Sequence, residues 1–499
     1  MTSPRSSMTY LLFTAFVGGM SIMSIEIAIS RLLAPYFGTS LLVWTNVLGA
    51  IMIALAAGYY FGGRMADKCD CAQKRLYQIL LTTGAYVSLI PLMFMPLAGW
   101  ALRAIDQYAV GTTAFSFLCM VALLITPFVA LGMVVPYTMK LAVQKADGLG
   151  HVTGQVLGFS NAGSILGTFL PALVTIPWLG TQRTIVLFGW LLMLVAIFGL
   201  GKRMLLLISA AATCLIFWVG NIKTTPGLMY DTESVYNYIQ VVEQNGIRML
   251  RLNEGHAEHS LYQKDRYVFG SVWDYYIFPP MLNATQEALF IGLAAGTAAR
   301  QYAHFLPHVQ IDGVEIDPAV VEVGKQYFDL KEDNVNIVLK DGRIHLATTK
   351  KRYDTILIDA YKQPYIPFHL TTKEFFLLVQ QHLRPGGVVG INVGSTQNDA
   401  EVLVMIQQTM KRVFKHVYVV PVKYSLNYLV WASDDDLNID AVVPVDDALA
   451  PMVHYIQHHY QEVPYAPQST ILTDDLAPLE LYTEKMILNF ALGWKRKYL

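Results

Sequence analysis

Acidic side chains follow three apolar stretches in the second half of the chain, at the points where strands are predicted to end. Glu315 closes "IDGVE", Asp341 follows "VNIVLK" and Asp359 follows "DTILI". A carboxylate in this position can accept hydrogen bonds from ribose hydroxyls or take a proton from a nucleophile. A single acid of this kind is often a helix N-cap, but three in succession favour one shared ligand site.

Glycines that would let a ligand approach the backbone precede these acids. Gly292 and Gly296 in "IGLAAGT" permit a tight turn, after which a helix presents free N–H groups. Glu315 comes about 20 residues later, which is the spacing of an acid that binds a ribose. Asp341 and Gly342 in "KDGR" are placed to meet an adenine amino group. The set predicts a nucleoside site.

The elements that carry these residues have a regular pattern. From 286 to 499, short β-branched strands alternate with helical stretches, which predicts a doubly wound parallel sheet with ligands at the carboxyl ends of its strands. The pair "HVYVVPV" and "NYLVWAS" adds an antiparallel edge. Residues 222–285 are predicted to form β-hairpins, since Asn245 and Gly246 separate two alternating runs.

The first half is far more apolar. The chain is 54% hydrophobic and 15% charged, with a mean hydropathy of +0.40, so part of it is expected to lie in a membrane. Residues 1–221 contain about seven runs of the length that a membrane-spanning helix needs. These runs lie at 9–30, 41–63, 77–99, 113–137, 153–177, 182–200 and 204–220. The net charge of −1 gives no global field that would recruit nucleic acid.

Basic residues predict the orientation of this membrane domain. They crowd the connection after the second run, at Arg64, Lys68, Lys74 and Arg75, which places the amino terminus in the cytoplasm. Seven spans would then put the second half outside, and loss of the weakest run, 204–220, would put it inside. We expect a multi-pass protein of a bacterial-type inner (cell) membrane and leave the side of the second half open.

The four cysteines do not predict a metal or redox centre. Cys69 and Cys71 are too close in sequence for a zinc knuckle or a CxxC pair, and Cys119 and Cys214 stand alone. No metal ligand is assigned.

The second half resembles the spermidine synthase (polyamine aminopropyltransferase) family, which has the class I methyltransferase-like fold. The resemblance lies in "DTESVYNYIQVVE", "LNEG", "IGLAAGT", "VEIDP", "KDG", "YDTILIDA" and "LTTKEFFLLVQQHLRPGGVV". In the first half, "GYYFGGRMADK" resembles a loop of major facilitator transporters. The whole chain therefore resembles the membrane-fused branch of the synthase family.

This resemblance implies a reaction and further site residues. The co-substrate would be decarboxylated S-adenosylmethionine, or S-adenosylmethionine itself, and no cofactor would be tightly bound. Asp359 would be the proton acceptor, and Asn237 would stand in the donor site in place of a glutamine. The partners would be a small-molecule amine such as putrescine and the lipid bilayer, with a homodimer as in relatives.

The residues expected to bind the amine differ from the family pattern. Ala295 replaces an aspartate, and Lys362 stands near the position of a second acid. Either the acceptor is not a simple diamine or its site is rebuilt from other side chains. The candidates are His256, Glu258, His259, Asp274, Tyr275, Tyr276 and Tyr361. The acidic stretch "TILTDDLAPLE", with Asp474 and Asp475, either replaces the lost acids or starts a helix.

Three functions follow as hypotheses. The first is a membrane-anchored aminopropyltransferase, and the second is an S-adenosylmethionine-dependent methyltransferase with an unknown acceptor. The third is a non-catalytic transporter or sensor that binds a nucleoside or polyamine. Asp359 favours an enzyme, because a binding module needs no proton acceptor.

Overall fold

The structure is a computed structural model, which describes residues 7–37, 41–107, 122–145, 148–201, 225–253, 257–331, 333–362, 365–396 and 399–498. These residues form two compact units. The first contains those of Met1–Thr224 and Glu233–Val235, and the second those of Thr225–Thr232 and Tyr236–Leu499. The finer division of the chain at 221 and 285 remains a prediction.

The described part of the first unit contains six helices that are long and apolar enough to cross a membrane. They are α1 (Met8–Phe37), α2 (Leu41–Asp67), α3 (Ala72–Gln107), α4 (Ala122–Val143), α5 (Leu149–Leu179) and α6 (Thr181–Leu200). Each of the first six predicted runs overlaps one of these helices. The seventh predicted run, 204–220, lies outside the described residues.

Small residues bring α1 and α5 close together. A Cβ atom on Gly163 would overlap the carbonyl oxygen of Phe16, and one on Gly167 would overlap that of Met20. A Cβ on Gly158 would meet nothing within 4 Å. Two of the three glycines in "GFSNAGSILG" therefore permit the close backbone approach expected of small residues between apolar helices.

We expect Gly163→Leu to destabilise the first unit, because the new side chain collides with the backbone of α1. Overpacking of this kind costs about 1–3 kcal/mol or more. The melting temperature of the detergent-solubilised chain, followed by tryptophan fluorescence, should fall. Gly158→Leu on the same helix is the matched control and should melt like the wild type, whereas equal melting of both variants would contradict the assigned contact.

The second unit begins with a four-stranded sheet, here called the lid, in which β2, β3 and β4 are antiparallel. Its strands are β1 (Leu228–Glu233), β2 (Tyr238–Gln244), β3 (Ile247–Leu252) and β4 (Glu258–Tyr262). Asn245 and Gly246 have positive φ angles of 53° and 74°, and Gln244 pairs with Ile247 across them. The predicted hairpin is confirmed.

An eight-stranded sheet follows, in the order β12-β10-β11-β9-β8-β5-β6-β7. Its strands are β5 (Glu287–Ile291), β6 (Gln310–Glu315), β7 (Val335–Leu339), β8 (Tyr353–Ile358), β9 (Leu383–Gly394), β10 (His416–Pro421), β11 (Asn427–Ser433) and β12 (Gln461–Glu462). Strands β5 to β9 are parallel, whereas β11 runs antiparallel to β9 and to β10. Without β12 this is the strand arrangement of the class I methyltransferase-like fold, as predicted, including its antiparallel edge.

Both faces of this sheet are buried. Ala288 and Phe290 of β5 face one apolar cluster, and Leu289 and Ile291 face another. A strand covered on both faces reads as a continuous apolar run, which is why "ALFI" predicts a parallel strand. The helices of the second unit are α7 (Val272–Tyr275), α8 (Phe278–Asn283), α9 (Thr297–Phe305), α10 (Pro318–Tyr327), α11 (Gly342–Thr348), α12 (Lys373–His382), α13 (Glu401–Lys411), α14 (Ala450–His459) and α15 (Leu479–Tyr498).

Candidate active site

The carboxyl edge of the parallel sheet brings the predicted nucleoside-binding acid and the predicted base to either side of one strand. Ile291, the last residue of β5, pairs with Val314 of β6 on one side and with Ile358 of β8 on the other. Glu315 and Asp359 are the next residues of those two strands. They therefore flank the start of the glycine turn.

The glycine turn lies directly against the backbone of Asp359. Gly292 and Gly296 have φ angles of 95° and 90°, a region that favours glycine. A Cβ atom on Gly292 would overlap the carbonyl oxygen of Asp359. The Asp359 N–H in turn donates to the carbonyl of Ile291 at 2.8 Å. The turn and the end of β8 are thus one closely packed piece of backbone.

The carboxylate of Glu315 accepts hydrogen bonds from two backbone N–H groups. Its Oε2 accepts from Ala294 N at 2.9 Å and its Oε1 from Asp317 N at 3.1 Å. Burial raises the pKa of Glu315, and these two N–H groups oppose the rise. Asn237 of the lid donates to Asp317 at 2.9 Å. The lid is thereby linked to the loop that carries Glu315.

Asp341 has the N-cap role that a single acid at the end of a strand often has. Its Oδ1 accepts from Ile344 N at 3.0 Å, so it is the N-cap of α11. Its Oδ2 lies 3.0 Å from Nε2 of His369. The side chain of Ile291 packs against Gly342, where an added Cβ would overlap it. Asp341 therefore lies at the expected edge of the sheet but is already engaged in hydrogen bonds.

The acidic stretch near the carboxyl end binds a neighbour of this loop. Both oxygens of Asp474 accept from Arg343, at 2.7 and 2.5 Å, and Oδ1 also accepts from Thr372. This contact lowers the pKa of Asp474. Helix α15 begins only at Leu479. Asp474 is thus an ion-pair partner of Arg343, and the helix predicted over "APLELYTEKM" does form, although Asp475 as its N-cap remains a prediction.

Asp359 sits in a polar cluster at the end of β8. Its Oδ1 accepts from Asn392 Nδ2 at 2.9 Å. Burial raises its pKa to about 6, and the nearby Asn392 and Tyr276 side chains lower it. The residue keeps partial exposure. The Asp359 carboxyl group therefore has a pKa closer to neutral pH than an ordinary aspartate, which is a property that a general base needs.

Two side chains considered for amine binding have structural partners. Asp274 accepts from the backbone N–H groups of residues 269–271 and from Gln301, in a capping box with Ser271. The Tyr275 hydroxyl accepts from Lys423 N at 3.1 Å, and burial raises the Tyr275 pKa to about 12. Both side chains are therefore engaged in hydrogen bonds within the fold.

The remaining candidates lie at different places around the site. Glu258 is exposed and His259 half-buried on β4, whereas His256 lies outside the described residues. The Tyr361 hydroxyl donates to the carbonyl of Asn392 at 3.0 Å and accepts from Gly394 N at 2.9 Å. Tyr361 therefore braces the strand that carries Asn392. Its own pKa is raised by burial.

The lid also contacts the glycine turn. Ala295 N donates to Ser260 Oγ at 3.0 Å, and Leu261 N donates to Thr297 Oγ1 at 2.8 Å. Ala295, which stands where the family pattern has an aspartate, is buried. The turn between β5 and α9 therefore packs against β4 and has no acidic side chain at position 295.

Sequence reasoning missed Asn392. It lies in β9, and the pairing of Ile358 with Ile391 places it beside Asp359 on the neighbouring parallel strand. The available signal was the polar residue Asn392 inside the apolar run "GVVGINV". A strand that is buried on both faces is usually apolar throughout, so a polar side chain there indicates a specific role. His369 was also missed, and the sequence around it offers no comparable signal.

A comparison with known protein families finds a match within the second unit. The family model for the spermine/spermidine synthase domain matches residues 278–437. This range contains Glu315, Asp341, Asp359 and Asn392.

Three curated relatives extend this comparison. A probable polyamine aminopropyl transferase of Bifidobacterium longum (strain NCC 2705) is 35% identical over 197 residues, which are 38% of this chain and 44% of the relative. A polyamine aminopropyltransferase of Vibrio vulnificus (strain CMCP6) is 26% identical over 51% of this chain and 91% of its own length. One of Oceanobacillus iheyensis is 24% identical over 71% of this chain and 75% of its own length. The chain thus spans less than half of the first relative and most of the other two.

Proposed function

From the premise that residues 278–437 form a spermine/spermidine synthase domain, we propose that this chain is a membrane-anchored polyamine aminopropyltransferase. It transfers the aminopropyl group of decarboxylated S-adenosylmethionine to an amine such as putrescine. The observation that carries the proposal is the position of Asp359, whose backbone lies against the glycine turn and whose side-chain carboxyl has a pKa raised to about 6 by burial.

The donor is proposed to bind along the edge formed by the turn and by β6. Glu315 would accept hydrogen bonds from the two ribose hydroxyls, since an acid at the end of the second strand has this role in nucleoside-binding folds. Gly292 and Gly296 supply the positive φ angles of the turn beside the donor, Asn237 links the lid to Asp317 in the loop that carries Glu315, and Asp341 with Gly342 would face the adenine.

Asp359 is proposed to act on the amine. A nitrogen lone pair attacks the aminopropyl carbon bound to the sulfonium, so a C–N bond forms as the C–S bond breaks. The electron pair of the C–S bond stays on sulfur, which leaves neutral methylthioadenosine. The new C–N bond makes the nitrogen acidic, and its proton passes to Asp359. Alignment of nitrogen, carbon and sulfur provides the remaining rate enhancement.

The apolar helices are proposed to anchor this enzyme in the cell membrane. The support is the set of six helices of sufficient length and apolarity among the described residues. The match to the Oceanobacillus relative covers more of this chain than the second unit contains, so it extends into the apolar half.

The proposed function is tested with the purified full-length chain in detergent. We expect spermidine and methylthioadenosine, in equal amounts, from decarboxylated S-adenosylmethionine and putrescine, measured by mass spectrometry. A parallel reaction with S-adenosylmethionine tests for methyl transfer. Methylated product without any aminopropyl product would contradict the proposal and favour the methyltransferase hypothesis.

Turnover should depend on pH through Asp359. The carboxylate accepts a proton only when it is ionised, and its pKa is raised to about 6, so activity is present above pH 6 and is lost below it. We expect kcat/KM for the amine to show a further loss of about tenfold per pH unit below that point. A pH profile from 5 to 9 at saturating donor checks this, and a profile without a change of slope between pH 5 and 7 would contradict it.

A further inference from the structure

Two cysteine thiols lie side by side in the connection between α2 and α3. The Sγ atoms of Cys69 and Cys71 are 3.5 Å apart. Both cysteines are free, Cys71 is exposed and Cys69 is half-buried. Their spacing excludes the usual four-ligand motifs of zinc, but it does not exclude an ion that needs only two ligands. The connection therefore presents two soft ligand atoms at one place.

A cavity of about 700 Å³ opens beside these thiols. Residues of the connection and of the adjoining ends of α3, α4 and α6 line it, and both cysteines are among them. Lys74 and Lys140 contribute positive charge to the lining, and Asp70 contributes negative charge. A ligand of small size therefore has room to reach both sulfur atoms.

A buried hydroxyl group lies close to the same thiols. Tyr137 of α4 is fully buried, and within the described part of the chain its hydroxyl has no hydrogen-bond partner. This hydroxyl is close enough to Cys69, Cys71 and Arg75 for their charges to act on it. Burial of an unpaired hydroxyl is costly, because its lost hydration is not replaced. A negatively charged acceptor at the thiols would supply the hydrogen bond.

Lys140 fixes the main chain that carries the first thiol. Its Nζ donates to the carbonyl oxygen of Ala66, and it donates to those of Asp67 and Cys69 at 3.2 Å each. Tyr137 and Lys140 are three residues apart, so both lie on the same face of α4. One helix face thus holds the end of α2 in place and brings a free hydroxyl group to the thiols, as expected of a preorganised site.

We propose that Cys69 and Cys71 bind one soft monovalent metal ion, Cu(I), with Tyr137 as a hydrogen-bond donor to the bound thiolates. Each thiol loses its proton, and each sulfur donates a lone pair to the ion. Two protons are released, and no atom is oxidised or reduced. The sulfurs move apart to admit the ion, which rotation about the Cα–Cβ bonds of two residues in a turn permits.

The surroundings favour Cu(I) over Zn(II). Thiolates are soft ligands that select Cu(I), and two of them complete the coordination of this ion. A structural zinc ion takes four ligands, whereas the described residues contain no group of three or more His, Cys, Asp or Glu side chains that could hold a metal. Cu(I) with two thiolates also carries a negative charge, which Lys74, Arg75 and Lys140 stabilise. The corresponding zinc complex is neutral and gains less.

The site is tested with the reduced full-length chain in detergent, titrated with Cu(I) under anaerobic conditions against the chromophoric chelator bicinchoninate. We expect one tightly bound Cu(I) per chain, which the double variant Cys69→Ser with Cys71→Ser loses. The matched control is Cys119→Ser with Cys214→Ser, which removes the two other cysteines and should keep the ion. X-ray absorption of the copper-loaded chain should show two sulfur neighbours.

The variant Tyr137→Phe separates the metal site from a structural role of the hydroxyl. Its melting temperature without metal should equal or exceed that of the wild type, because the lost group is unpaired. Its affinity for Cu(I) should fall about 10–100-fold, as for other groups that hydrogen-bond to metal ligands. A lower melting temperature with wild-type affinity would contradict the assigned role of Tyr137.

Three results would overturn the site itself. They are absence of Cu(I) binding by the wild type, equal binding by the variant that lacks Cys69 and Cys71, and loss of the ion from the control that lacks the other two cysteines. Zn(II) binding as tight as that of Cu(I) would contradict the choice of a monovalent ion. None of these measurements depends on aminopropyl transfer, whose proposed residues lie in the second unit.

Discussion

Asp359→Asn should lower kcat for aminopropyl transfer by about a thousandfold while methylthioadenosine affinity stays within about twofold of the wild type. Asparagine has the shape of the carboxylate and can still accept the hydrogen bond from Asn392, but its amide oxygen does not take up the proton. The change in slope near pH 6 should disappear with the ionisable group. Steady-state kinetics at saturating substrates and calorimetry with methylthioadenosine provide the two measurements.

The control for this variant is Asp354→Asn at the amino end of the same strand. Asp354 accepts from the N–H groups of Gln286 and Glu287, each at 2.9 Å, and from Arg384. Its substitution should lower stability and leave kcat unchanged. An equal loss of kcat in both variants would show damage to β8, and undiminished turnover in Asp359→Asn would exclude the acid–base role.

Glu315→Gln should weaken methylthioadenosine binding by about a hundredfold or more. A hydrogen bond to a charged group contributes about 1.5–3 kcal/mol, and the carboxylate is proposed to accept two from the ribose. The substitution also places an amide N–H₂ near the N–H groups of Ala294 or Asp317, which now donate to the carboxylate. The glycine turn should therefore be disturbed together with the ribose contact.

Calorimetry of the purified variant against methylthioadenosine checks this expectation, with 2′-deoxy and 3′-deoxy analogues as additional probes. Glu322→Gln, on the exposed face of α10, makes the same chemical change a short distance along the chain and should bind like the wild type. Wild-type affinity in Glu315→Gln, or equal affinity of the wild type for the deoxy analogues, would remove the ribose assignment.

The sequence was sufficient to predict the sheet and the acids at its edge. A parallel strand that is covered on both faces needs an uninterrupted apolar run, so "ALFI" and "TILI" are readily recognised. Because parallel strands align their carboxyl ends, the residues that follow them are neighbours whatever the details of packing. For this reason the sequence alone predicts that Glu315 and Asp359 lie on either side of the glycine turn.

Other parts of the site depend on facts that the sequence does not contain. The contact between Asn392 and Asp359 requires the register of β9 on β8, which apolar patterning leaves undetermined along a strand that is buried on both faces. Asp274 had the residue type and location expected of an amine ligand, but nearby N–H groups and Gln301 from α9 occupy its oxygens. Tertiary packing alone decides whether the oxygens of such a side chain are available to a substrate or bound by other groups of the protein.

The close contact between Gly292 and the carbonyl of Asp359 limits the substitutions that this part of the chain can accept. Because the glycine turn and the end of β8 pack backbone against backbone, a side chain at position 292 would displace the segment that carries Asp359. Asn392, by contrast, reaches Asp359 through its side chain, at 2.9 Å, from the neighbouring strand β9. If the proposed function holds, a substitution at position 392 can therefore change the surroundings of Asp359 while the main chain of the glycine turn stays in place.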